Sequence, residues 1–119
     1  MKIKAIAKQL VTLCRKAQWE TAQKKLYATH AESREPEGGG VFKKVTKGRK
    51  AIIEKGRKFT AMTEKIYAIK VSEPIIADNF FACSMEMDMK MTGVGRTKMC
   101  ELCIYEVKGG KIIAEHFHY

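Results

Sequence analysis

The chain lacks any apolar run near the roughly 18 residues that a membrane-spanning helix needs. Its first stretch, MKIKAIAKQLVTLCRKAQ, also has no continuous apolar block, because lysines stand at 2, 4 and 8. That pattern reads as an amphipathic helix rather than a signal peptide, and a soluble, cytoplasmic protein is expected. A second CxxC is missing as well, so "CELC" at 100–103 has no partner for a zinc site. On a strand, residues three apart point to opposite faces. Cys14, Cys83, Cys100 and Cys103 are therefore expected as reduced packing residues, not as a disulfide framework. His116-x-His118 offers two metal ligands without an evident third. No metal and no cofactor are expected, and no internal repeat or linker divides the 119 residues, so one domain is expected.

Acidic residues are scarce where basic ones crowd. The net charge is +10, with +11 on residues 1–60 and −1 on residues 61–119. The densest part, residues 43–58, sets eight basic residues against Glu54. It could meet a polyanion, or it could be the solvated face of a helix. Phe42 and Phe59 are the only aromatics near it, and no nucleic-acid motif accompanies it.

Ile3, Ile6, Leu10, Leu13, Cys14 and Ala17 recur at helical spacing. A break at Ala17–Gln18 leads to a second helix from Trp19 to Tyr27. A short strand over 29–35 ends at Pro36, which holds Glu35 in extended geometry, and Gly38–Gly40 form a flexible connection. Thr46 is positioned to cap a third helix running to Met62, with Ile52, Ile53, Phe59 and Met62 as its apolar stripe. From Glu64 the period changes to two. "KIYAIKVSEPII", "FFACSMEMDMKM", "RTKMCELCIYEV" and "KIIAEHFHY" read as consecutive strands joined by tight turns. Helices followed by antiparallel strands predict an α+β domain with three N-terminal helices packed on a curved sheet.

This order, with "KLYATHAESREPEG", "KGRKAIIEKGRKF" and "YEVKGGKIIAEHFHY", resembles the nuclear transport factor 2-like superfamily over nearly the whole chain, and within it the SnoaL-like group. The resemblance implies a cystatin-like cone whose mainly antiparallel sheet encloses a pocket. It also implies a homodimer through the outer sheet face, where Cys100, Leu102 and Ile104 lie. Members include ketosteroid isomerases, polyketide cyclases and dehydratases, and also non-catalytic binding proteins, so fold alone does not name an activity.

Ketosteroid isomerases carry a catalytic aspartate before proline in an Asp-Pro-x-Gly stretch, which Glu35-Pro36-Glu37-Gly38 matches with glutamate for aspartate. Glu35 then reads as a general base at the cavity rim, or alternatively as a solvated acid at a strand end. The family's oxyanion tyrosine and oxyanion acid fall on Val11 and Cys103, neither of which donates a strong hydrogen bond, so steroid isomerisation is not expected. Met99, Glu101, Cys103 and Tyr105 share one strand face. With that face inward, Glu101 is an acid and Tyr105 an accessory phenol; with the register shifted, Glu101 pairs with Arg96 or Lys98. Trp19, Tyr27, Phe59, Met99 and Cys103 are the expected contacts of a small hydrophobic ligand. Acid–base isomerisation, cyclisation or dehydration of a ring compound is the leading reading. The alternatives are a binding protein without chemistry and a polyanion-binding module using residues 43–58.

Overall fold

A computed structural model describes residues 1–36 and 42–119. Two helices open the chain, α1 (Ile3–Arg15) and α2 (Trp19–Leu26). Ile6, Leu10, Val11 and Cys14 form the buried stripe of α1, as the 3.6-residue period requires. The break between the helices is a Schellman motif. The N–H of Gln18 donates to the carbonyl of Leu13 at 2.9 Å, and that of Ala17 to Cys14 at 3.0 Å. Ala17 takes the left-handed position with φ of 56°, where glycine is the usual residue.

Strand β1 (Tyr27–Arg34) follows directly, so Tyr27 begins the strand rather than ending the helix. The expected glycine connection at 38–40 lies outside the described residues. Strand β2 (Val45–Lys47) was not expected from the sequence, and it changes the start of the third helix. Thr46 pairs with Ser33 in the sheet and does not cap. The chain instead turns at Gly48, whose φ of 95° suits glycine alone, and α3 (Arg49–Met62) starts there. Ile52 is its fully buried anchor.

Strands β3 (Thr63–Val71), β4 (Ile75–Ala77), β5 (Phe80–Met91), β6 (Gly95–Lys108) and β7 (Lys111–His118) complete the fold. Pro74 falls between β3 and β4, so the expected single strand there is divided. The seven described strands form one sheet, ordered β2-β1-β7-β6-β5-β3, with β4 pairing to β5. Every pairing is antiparallel except that of β1 with β7. The methionine row behaves as its alternation predicts: Met85, Met87, Met89 and Met91 are buried on the concave face, while Ser84, Glu86 and Lys90 face out. The helices cover this concave face, and Leu10, Leu26, Ile52, Phe81, Met89 and Ile112 are buried at its centre. Each such side chain contributes about 1.5–3 kcal/mol.

The convex face is covered by no described element. Ile75, Phe80 and Leu102 are exposed there, beside the register pairs Ile75–Ala82 and Ala82–Ile104. No described helix is long and apolar enough to cross a membrane.

The strained Ala17 makes a direct test of the helix break. Ala17→Gly should raise stability by about 0.5–1 kcal/mol, because glycine takes positive φ without a Cβ clash. Urea unfolding should show a higher midpoint at unchanged slope; a lower midpoint would show that the break does not carry this strain.

Candidate functional site

The helices and the concave sheet leave a cavity of about 140 Å³ between them. Its sheet wall includes Met85, Met87, Met99, Glu101 and Tyr105, and its helix wall includes Trp19, Gln23 and Phe59. Trp19 meets Phe59 edge to face at 6.1 Å between centroids. Tyr27 also lines the cavity, so four of the five expected ligand contacts are wall residues. Cys103 is the exception. It is fully buried and absent from the lining, with its Sγ 3.7 Å from Oε1 of Glu101.

Glu35 and Glu101 both reach this cavity. Glu35 is only 8% exposed, which is not the geometry of a solvated strand-end acid. Lys55 Nζ donates to its Oε1 at 3.1 Å, and the Tyr119 hydroxyl donates to Oε2 at 2.9 Å. Both carboxylate oxygens are therefore engaged. Lys55 also donates to Ser33 Oγ at 2.6 Å and lies 5.6 Å from the centroid of the Phe117 ring.

Glu101 stands opposite Met85 on β6. It does not pair with Arg96, which instead binds Asp88 at 3.0 and 3.1 Å on the outer surface. Burial pushes the Glu101 carboxyl up to about 7, the charge of Glu35 adds to the rise, and the Cys103 thiol opposes it. A carboxyl in that range exchanges its proton near neutral pH. Tyr105 is buried and stacks on Phe81 with centroids 4.8 Å apart. Burial raises its phenol well above the usual range, so it stays protonated.

A third carboxyl, Glu115, is buried in the same interior. Tyr27 donates a hydrogen bond to it. Burial raises its pKa, and hydrogen bonds from Ser33 and Tyr27 pull the other way. Tyr27, Glu115, Ser33, Lys55, Glu35 and Tyr119 thus form one connected set from the cavity wall to the chain end.

Ser33, Lys55, Glu115 and Tyr119 are members of this set that sequence reasoning missed. Lys55 carried a readable signal, since it stands three residues after Ile52 and four before Phe59, on the apolar side of α3. Glu115 did not. Between the pairs Glu106–Ala114 and Val107–Ile112, β7 carries one extra residue, Ile113. That bulge reverses the alternation, so Glu115 turns inward while His116 and His118 stack outside at 4.3 Å. The basic stretch 43–58 is likewise divided by the fold. Lys55 turns inward, Arg57 binds Glu20 at 2.7 Å, and Arg49 donates to the carbonyl of Tyr27 at 3.3 Å. Among the described residues no group of three His, Cys, Asp or Glu side chains is placed to hold a metal ion.

A family model described as a SnoaL-like domain matches residues 1–119. Among solved structures, a Mesorhizobium loti protein described as a SnoaL-like polyketide cyclase is similar at a TM-score of 0.90 and 28% identity, covering 100% of both chains. A Xanthomonas campestris protein of cystatin-like fold follows at 0.82 and 16%, covering 98% of this chain and 89% of that one. A Catenulispora acidiphila protein of ketosteroid isomerase-like fold, solved with trimethylamine, is similar at 0.74 and 13%, covering 96% and 84%. The last two share the fold alone. No curated protein matches the chain. The helices on a curved sheet, the interior they enclose and the family match over residues 1–119 lead to one assignment: the chain belongs to the SnoaL-like family.

Proposed function

We propose that the protein performs acid–base chemistry on a small cyclic carbonyl compound, with Glu35 as the base and Glu101 as the acid. The observation that carries this reading is the placement of two carboxyls, Glu35 and Glu101, on one apolar cavity, where burial pushes Glu101 up to about 7. Two carboxyl groups in unlike environments divide the acid and base roles between them. Glu35 takes the proton from the carbon next to the carbonyl, and protonated Glu101 donates a hydrogen bond to the carbonyl oxygen as it gains charge. Proton transfer neutralises Glu35 and releases the positive charge of Lys55 toward the enolate. Return of the proton at another carbon completes an isomerisation. The size of the cavity supports a small substrate, since an enclosed space of about 150 Å³ holds one benzene ring.

A second reading, a binding protein without turnover, is favoured by the clamp on Glu35. Lys55 and Tyr119 occupy both oxygens of that carboxylate, so one of these bonds has to open before Glu35 can take a proton from a ligand. Proton exchange separates the two. Deuterium incorporation next to the carbonyl of a probe ketone, followed by NMR, should fall about 100-fold or more in Glu35→Gln. In the parent protein it should also fall as pH rises through about 7, where Glu101 loses its proton, and Glu101→Gln should lose that pH dependence. A bound probe that never exchanges would favour the binding protein.

Glu101 also links stability to pH. Its folded pKa of about 7 lies above the ordinary 4.5, so the folded state holds the proton more tightly. Stability should therefore fall as pH rises from about 4.5 to about 7 and then level, by at most about 3 kcal/mol from this group. The melting temperature of the parent should be lower at pH 8 than at pH 5.5, with a smaller difference in Glu101→Gln. An equal difference in both proteins would remove Glu101 as the source.

We also propose that a second copy of the chain covers the convex face, where Ile75, Phe80 and Leu102 are exposed. An apolar surface of this kind is usually paired. Sedimentation should report a dimer for the parent and a folded monomer for Ile104→Glu; a monomeric parent would sink the proposal.

A further inference from the structure

The helix wall of the cavity holds a polar group that the described chain does not serve. Gln23 lines the cavity one turn after Trp19 on α2. Its Oε1 is closed to water and has no hydrogen-bond donor among the described residues. A shielded carbonyl oxygen in that condition is a cost to the ligand-free fold, since its bonds to water are lost and nothing replaces them. An aliphatic side chain of similar size would fill the same place without that cost. The carboxamide lies against Gly56, where a Cβ would stand 3.5 Å from both Oε1 and Nε2. To present its oxygen to a molecule in the cavity, the amide turns about its last bond.

We infer that Gln23 determines specificity by accepting a hydrogen bond, through its carbonyl oxygen, from a hydroxyl or N–H group carried on the ring of the bound ligand. The ligand class narrows from a cyclic carbonyl compound to one that also bears a hydrogen-bond donor, such as a hydroxyaryl ketone. The sheet wall, with Glu101, faces the carbonyl, and α2 reads the donor. A site built around a hydrogen bond discriminates strongly against an analogue that lacks the partner, because the buried group is then left unpaired. This inference rests on the cavity binding a cyclic carbonyl compound, as proposed above, and does not depend on turnover.

Two measurements test it. The ligand-free melting temperature of Gln23→Leu should rise by about 2–5 °C over the parent, because the substitution removes an unserved buried acceptor. A fall would show that the amide is served within the fold and would overturn the inference. Calorimetric titration would then compare 4-hydroxyacetophenone, 4-methoxyacetophenone and acetophenone. The parent should bind the hydroxyl compound about tenfold more tightly than the other two, a difference of about 1.4 kcal/mol. Gln23→Leu should lose that preference and keep its affinity for acetophenone. Equal affinities in the parent, a preference for the methoxy compound, or a hydroxyl preference that survives Gln23→Leu would each overturn it. Absence of binding by all three would overturn the cyclic-carbonyl reading and this inference with it. Binding with the expected preference but no proton exchange would overturn the acid–base reading alone.

Discussion

Three carboxyl groups face one apolar interior, and an ionised carboxylate there is costly unless something answers its charge. The protein meets that constraint in three ways. Glu35 is held between an ammonium and a phenol. Glu115 has two hydroxyl donors and a pKa raised by burial. Among the described residues Glu101 has a thiol as its hydrogen-bond donor and feels the charge of Lys55, yet burial still pushes it up to about 7, so protonation is its principal relief. Much of the surrounding structure follows from these answers, including the inward turn of Lys55 against the outward habit of a lysine.

The parallel pairing of β1 with β7 makes the arrangement possible. It sets Arg34 beside His116, so the ends of both strands lie at the same side of the cone. Glu35 and Tyr119 meet there although 84 residues separate them in sequence. The bulge at Ile113 then turns Glu115 and Phe117 toward the interior. A regular β7 would have placed His116 and His118 inside, and the cavity would hold imidazoles in place of a carboxyl.

The site also separates its two walls by chemistry. The sheet and the residue just past β1 carry the carboxyls, while the polar or aromatic lining from α2 and α3 is aromatic rings, one amide and the inward Lys55. A planar ligand held between such walls is oriented by polar groups at its edge and gripped by apolar contact on its faces. Val11 and Cys103, the positions onto which the resemblance to ketosteroid isomerases maps their oxyanion donors, are both buried.

Local pattern was sufficient for much of the fold. Helical spacing marked α1, α2 and most of α3, and strict alternation marked β5 and the inward face of β6 that carries Glu101. The Glu-Pro pair pointed to Glu35, and the order of elements pointed to the SnoaL-like family. These features depend on neighbours within a few residues, or on chain order, so the sequence by itself determined them. The short β2, the parallel β1–β7 contact, the Lys55–Glu35 ion pair and the inward Glu115 were decided by tertiary structure alone. Each depends on which distant strand pairs with which and on one extra residue in a ladder, and no local periodicity encodes either.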